Sequence, residues 1–305
     1  MQLDLQNAAQ ALNKIILGKP EQIKLAMVCL LAKGHLLIED LPGMGKTTLA
    51  HALSKVLGLD FQRIQFTSDL LPGDIIGSAI YRRSDETFKF HKGPIFTQVI
   101  LADEVNRATP KSQSALLEAM EEYQVTVDGE SRKLPEPFFV IATQNPFNQI
   151  GTYPLPESQL DRFLIRISLG YPAREVERQL FSGQDSRHLI KDLSAVIEPQ
   201  ALILMQSKVD AVKVSDRLYD YLQDLVLASR QSNHWSHGLS PRGGLALLKA
   251  AKAWALMEDR DYVIPEDIQS VWLAVAEHRL LTQSSSVVRE QNPVLDILKT
   301  TAIPR

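Results

Sequence analysis

The chain has 305 residues, 45% of them hydrophobic and 23% charged, enough to bury a sizeable core in one large domain or two moderate ones. Its formal net charge of -3 provides no strong basic field of the kind that marks a nucleic-acid binder. No stretch approaches the roughly 20 apolar residues of a membrane span, and the lone cysteine, Cys29, excludes an internal disulfide.

In chain order, the opening "MQLDLQNAAQ" lacks the basic start and apolar run of a signal peptide, so a soluble, cytoplasmic protein is expected. Cys29 lies in the apolar stretch "KLAMVCLLAKG" and reads as a small core residue. "HLLIE", His35 to Glu39, has the length and character of a buried strand. It runs into "EDLPGMGKTT", a phosphate-loop pattern in which Asp40 replaces the usual first glycine. Leu49, Ala52, Leu53, Val56 and Leu57 then mark one face of a helix that Gly58 ends.

Strand, loop and helix in that order point to a bound nucleoside triphosphate. Gly43 and Gly45 let the backbone approach phosphate, and the first helical N–H groups point at the anion. The contact set is Gly43, Met44, Gly45, Lys46, Thr47 and Thr48. Lys46 reaches the β- and γ-phosphates and the Thr47 hydroxyl binds Mg²⁺. Asp tolerates turn conformations, so Asp40 is expected to leave binding intact and Asp40→Gly to change affinity little.

"FQRIQF" reads as a second strand. "IIGSAIYRRSDETFKFHKG" reads as two β-prone runs around a polar turn, with Phe88 and Phe90 expected to face a small core of their own. "VILADEVNRA" places Asp103 and Glu104 at the carboxyl end of a buried strand, where ligands of open α/β sheets bind. Asp103 is a candidate Mg²⁺ ligand and Glu104 the group that polarises the attacking water. The helix "PKSQSALLEAMEE" follows. In "QVTVDGESRKL", alternating valines lead into Asp128-Gly129, a two-residue hairpin turn. "FFVIAT" is a further strand, and Asn145 just beyond it is placed to hydrogen-bond the γ-phosphate or the water. "FLIRI" is the fifth. Strands alternating with helical patterns imply a parallel sheet covered on both faces.

From "GYPAREVE", Gly170 to Glu177, the period becomes helical and stays so to about Leu280. "NHWSHG" places His234 and His237 three apart, but zinc needs further ligands, and a polar loop is expected. In "SPRGG", Ser240 suits an N-cap and Pro241 the first helical position. Arg242 then falls in the first turn, where positive charge opposes the helix dipole unless an anion is near. The tail from Thr282 is polar at first, and whether "NPVLDILKTTAIP" packs back is left open.

These pieces together resemble the AAA+ ATPases, most strongly the MoxR family, in the group with an insert in the second helix that also holds magnesium chelatases. "LPGMGKT", "FTSDLLPGDIIG", "GPIF", "DEVNRA", "ALLEAMEE", "ATQNP", "LPESQLDRF" and "SPRGGLALLKAAKAWA" carry the likeness, which spans about Asn13 to Leu280. It implies an α/β core whose five parallel strands lie in the order 5-1-4-3-2, followed by a small helical lid. The corresponding division is 1–170 for the core, 171–282 for the lid and 283–305 for the tail, with hairpin inserts at about 72–94 and 122–137 that approach a pore or partner. The resemblance further implies that Arg162 is an arginine finger, that Arg242 is a second sensor, and that Ile16, Leu17 and Gly18 lie beside adenine. It implies ATP and Mg²⁺ as ligands and a homo-oligomer, a ring of six. The work would be remodelling of a protein client or assistance to metal or cofactor insertion, with a separate partner carrying a von Willebrand factor A domain. A nucleic-acid motor and a nucleotide-regulated scaffold remain alternatives; the charge balance argues against the motor. A metabolic kinase would explain neither Arg162 nor Arg242.

Overall fold

The computed structural model describes residues 2–84, 86–145, 151–181, 190–280 and 292–303. Five strands form one parallel sheet: β1 (Leu36–Glu39), β2 (Phe61–Gln65), β5 (Val99–Asp103), β8 (Phe139–Gln144) and β9 (Ile165–Ile167). Their order is β2-β5-β8-β1-β9. Counted among themselves along the chain, that is the expected 5-1-4-3-2. Registers such as Leu36↔Ile141, Leu36↔Ile165 and Val99↔Phe139 align the carboxyl ends of the central strands along one edge.

The sequence of each strand follows from its place. Every residue of β5 is buried, and β8 is buried except at Gln144, because helices cover both faces. The edge strand β2 is mostly polar. Side-chain alternation divides the interior into two cores. Leu36, Ile38, Leu101 and Ile141 face one way, and Leu37, Ile100, Val140 and Ala142 the other. The first core also takes helices α1 (Gln2–Ile15), α2 (Pro20–Leu31) and α3 (Lys46–Val56). The second takes α5 (Pro110–Glu122), which follows the short α4 (Pro72–Ile76). Helix α1 went unassigned from sequence although Leu5, Ala8, Leu12 and Ile15, its buried residues, keep a helical spacing.

Beyond α6 (Glu157–Leu160) and β9 the elements among the described residues are helices, as expected: α7 (Arg174–Phe181), α8 (Pro199–Ala211), α9 (Asp216–Gln231), α10 (Pro241–Met257), α11 (Pro265–Ala276) and α12 (Pro293–Thr300). Their apolar faces, with Trp272 fully buried, are continuous with the first core. The question of the tail resolves for its last part. Val294 and Ile297 of α12 are buried, and Trp272 Nε1 donates to the Val294 carbonyl at 2.7 Å. The Ser-rich stretch at 281–291 lies outside the described residues. His234 and His237 flank Trp235, which is buried and donates through Nε1 to Ser229 O.

Two hairpins leave the core, β3 (Gly77–Arg82) with β4 (Thr87–Lys92), and β6 (Gln124–Val127) with β7 (Glu130–Lys133). Asp128 and Gly129 both take positive φ, 53° and 79°, as the two-residue turn requires. One expectation fails. Phe88 is 72% exposed and, among the described residues, has Tyr81 as its one ring partner, so it does not face a small core. A two-stranded ribbon with no second layer has no interior in which to bury it. Phe90, two residues on, is covered by Phe96 on one side and by the Arg132 guanidinium of the other hairpin, 4.0 Å from its ring centre.

Candidate active site

The phosphate-loop sequence lies between β1 and α3. Gly43 and Gly45 have φ of 85° and 87°, and a Cβ at either would meet nothing. The glycines are needed for backbone conformation, not for close packing. Gly45 caps α3 without any side-chain acceptor, which leaves the first N–H groups of the helix for an anion. Lys46 Nζ donates to the carbonyls of Asp40 at 2.6 Å and Leu41 at 3.1 Å. Partial burial lowers its pKa, against the opposing pull of Asp40, Asp103 and Glu104. Lys46 Nζ, held just past the end of β1, and Asp103 and Glu104, at the end of β5, all stand at the carboxyl edge of the same sheet. Thr47 is exposed in the first turn of α3.

The acidic pair is held by neighbours that sequence reasoning passed over. Thr143 Oγ1 donates to Asp103 Oδ1 at 2.6 Å and accepts from the Glu104 N–H at 2.9 Å. Arg63 donates to Asp103 Oδ2 through Nη2 at 2.6 Å and Nε at 3.1 Å. Gln65 Nε2 donates to Glu104 Oε2 at 2.9 Å. Arg63 and Gln65 are two apart on β2, so they share a face, and that spacing was the available signal. Glu104 itself sits in the left-handed region, φ 56° and ψ 49°, uncommon for a non-glycine residue. The donor set suits Mg²⁺: Asp103 and Thr47 offer hard oxygens, and Asp103 Oδ2 already holds positive charge in the form of Arg63. Asn145 directly follows β8, whose pairing with β5 sets Ala142 beside Ala102 and so places Asn145 at the same edge. Its carbonyl accepts from Asn106 Nδ2 at 3.4 Å.

A cavity of about 440 Å³ opens beside the loop. Gly43, Met44, Gly45 and Thr48 form one side, Ile16 and Leu17 another, and Gly170, Tyr171 and Pro172 a third. Gly18 does not line it, although its φ of 72° turns the chain there. The cavity shows what Asp40 does. Asp40 is buried, 6% exposed, and its carboxylate accepts from Ser168 Oγ at 3.0 Å, from the Gly170 N–H at 3.1 Å and from the Leu169 N–H. Asp40 is therefore more than a turn residue: it ties the start of the phosphate loop to the opposite cavity wall.

Arg162 and Arg242 lie elsewhere. Arg162 Nη2 is 2.9 Å from Glu121 Oε2, and Arg242 Nη1 donates to Glu121 Oε1 at 2.8 Å. The two arginines share one carboxylate on the rim of a second cavity of about 260 Å³. No residue lining this cavity lines the first. The anion that Arg242 needs is thus Glu121. Ser240 caps α10 as expected, accepting from the Gly243 N–H at 3.0 Å. At the floor of this cavity, buried His35 accepts from the Val140 N–H at Nδ1, 3.1 Å away, which leaves Nε2 to donate to Met120 O at 3.0 Å. Burial holds its pKa down, to about 4.

Residues 35–165 match the ATPase family associated with various cellular activities (AAA), and residues 227–297 match the AAA lid domain. YeaC of Bacillus subtilis (strain 168) is 46% identical, over 94% of this chain and 92% of its own length. Chaperone MoxR1 of Mycobacterium tuberculosis is 39% identical, over 99% and 82% respectively. The crystal structure of a candidate ATPase from Cytophaga hutchinsonii superposes with a TM-score of 0.89 at 35% identity, covering 100% of this chain and 96% of that one. With the phosphate loop, the acidic pair and the helical lid in place, the chain belongs to the MoxR family of AAA+ ATPases, enzymes that hydrolyse ATP.

Proposed function

We propose that this ATPase is a cytoplasmic, chaperone-like machine that assembles as a ring of six and remodels a protein client or assists metal or cofactor insertion. A partner carrying a von Willebrand factor A domain would bring it to the client. The core, lid and tail would divide at 1–170, 171–282 and 283–305. ATP lies along the first cavity with its adenine against Ile16 and Leu17, which line it as Gly18 does not, and its phosphates on Gly43 to Thr48. Lys46 binds the β- and γ-phosphates. Thr47 and Asp103 hold Mg²⁺, which supplies positive charge at the phosphate oxygens when bound. Glu104 polarises the attacking water, Asn145 orients the water or the γ-phosphate, and Gln65 fixes the Glu104 carboxylate.

One observation carries the oligomeric part of this reading: Arg162 and Arg242 converge on Glu121, apart from the chain's own phosphate loop. In an assembly they reach the neighbouring subunit's γ-phosphate and neutralise the charge that develops there. Glu121 holds them in register until then.

The test is a mixture of two inactive variants. Arg162→Ala keeps a working loop but lacks the finger, and Lys46→Ala has the reverse defect. Their co-assembled mixture should recover hydrolysis that neither shows alone, with light scattering to follow assembly. No recovery in particles shown to contain both subunits would remove the intersubunit assignment.

A further inference from the structure

Arg162 and Arg242 come from segments about 80 residues apart in the chain, yet they meet on one carboxylate, so something must hold the two segments in register. Arg279, three residues past the end of the lid's α11, is placed to do it. Its side chain is only 4% exposed. Nε donates to Asp161 Oδ1 at 2.6 Å. Nη2 donates to Phe163 O at 2.7 Å and Asp161 O at 3.2 Å, and Nη1 to Leu164 O at 3.3 Å and to Val275 O. Three of these carbonyls flank Arg162, one before it and two after.

The same pair reaches the other arginine. Asp161 Oδ2 accepts from Ser240 Oγ at 3.3 Å, and Ser240 caps the helix whose first turn holds Arg242. The Arg279 stem packs on that turn as well: its Cδ lies 3.3 Å from where a Cβ on Gly243 would stand. One buried guanidinium and one carboxylate therefore bind the strand-side loop of Arg162 to the lid helix of Arg242.

We propose that the Arg279–Asp161 pair is a positioning device that sets the two arginines for the neighbouring subunit's nucleotide, so that lid geometry controls catalysis next door. This rests on the intersubunit reading above. Neither Arg279 nor Asp161 lines the first cavity, and both act here through Arg162 and Arg242. A displacement of about 1 Å in a positioned group is enough to cost roughly 100-fold in rate, which makes such a clamp matter.

Arg279→Lys keeps the charge but loses the planar fork that spans several acceptors. Asp161→Asn keeps the shape and one acceptor while removing the charge. Each should bind ATP within about twofold of wild type while turnover falls about tenfold or more. The deciding measurement is which partner restores activity. Arg279→Lys should recover hydrolysis when co-assembled with Lys46→Ala, whose finger is intact. It should recover none with Arg162→Ala, which needs a finger supplied to it. A merely misfolded subunit would recover with neither. Recovery with Arg162→Ala, or unchanged turnover in both variants, overturns the inference. Where Arg279→Lys does not assemble, Asp161→Asn decides: wild-type turnover in it overturns the inference equally. Failure of the control mixture of Arg162→Ala with Lys46→Ala removes the intersubunit reading and this inference with it, an outcome separable from failure of the clamp alone.

Discussion

The two cavities differ in how they are built. The nucleotide side is assembled from strand ends and the loops that leave them, so most of its chemistry comes in short contiguous phrases: "GMGKTT" after β1, "DE" across the end of β5, "QN" across the end of β8. The arginine side joins Glu121 at the end of α5, Arg162 before β9 and Arg242 at the start of α10, with Arg279 beneath them. On the nucleotide side Lys46 is turned back on main-chain carbonyls, whereas on the arginine side two cations share a single carboxylate. Such a pair is under-neutralised and suited to an anion brought from outside. Each side reads as half of a site.

The halves should fail differently, and Glu104→Gln should fail most. Removing the carboxylate that polarises water should lower turnover by about 10²–10⁴-fold while ATP binding stays within about twofold. Gln65, which holds that carboxylate, would still find an acceptor in the amide. Steady-state hydrolysis beside calorimetric titration separates the two quantities. An equal loss in both would make Glu104 a structural residue of the left-handed turn after β5.

Lys46→Ala and Arg242→Ala sharpen the contrast directly. The first deletes a charge-assisted contact to phosphate and should weaken ATP binding about 100-fold or more. The second should leave affinity within about twofold and lower turnover about tenfold or more, because its charge acts in the transition state at another subunit's nucleotide. A large binding defect in Arg242→Ala would place that arginine at its own chain's nucleotide and erase the division.

How far these halves were legible in the sequence follows from their construction. Apolar runs of four to six residues mark strands buried on both faces, and the strand order came through the resemblance that the motifs carried. Residues in contiguous phrases declared their chemistry. Thr143, Arg63 and Gln65 did not, because their roles depend on which strands lie side by side, and a local pattern holds no record of adjacency. Glu121 looked like an ordinary acidic residue of a helix end. Phe88 misled because alternation gives a side chain's face but not whether anything covers that face.

Asp40 is the smallest departure from the loop pattern and the place where structure most changes the expectation. As a turn residue it could be replaced by glycine at little cost. As the acceptor for three donors at the cavity wall it cannot. Asp40→Gly strands the buried Leu169 N–H, at a cost of about 1–3 kcal/mol, and leaves the half-buried Gly170 N–H without this acceptor. It also frees Gly170 to Pro172 from the loop, so ATP affinity should fall roughly fivefold to tenfold, in line with about 1 kcal/mol of lost preorganisation. Calorimetry on Asp40→Gly and Asp40→Asn tests this. Asp40→Asn keeps one acceptor and should lie between glycine and wild type. Wild-type affinity in Asp40→Gly would return Asp40 to the status of a tolerated turn residue.

The gentlest probe is acid, and it should find the arginine side first. His35 lies beneath that cavity, and its Nε2–H···O bond to Met120 supports the residue next to Glu121. Burial lowers its folded pKa from 6.5 to about 4, helped by the Lys249 charge and opposed by the Met120 bond. A folded pKa below the unfolded one means that the unfolded chain takes up the proton first as pH falls. Stability from this group is therefore full above pH 6.5 and is lost progressively toward pH 4. Between pH 6.5 and 5.5 the loss is about 1 kcal/mol. Buried His278, also held low, adds to the slope in the same direction, so the variant must isolate His35. His35→Gln can accept from the Val140 N–H and donate to Met120 O without titrating. Denaturant midpoints across that range should fall less steeply in His35→Gln than in wild type. Turnover, which needs the arginines in register, should decline with acid before ATP binding does. Identical slopes in the two proteins would show that His35 does not sense acid here. A parallel decline of binding and turnover would show that the two halves rest on one foundation rather than two.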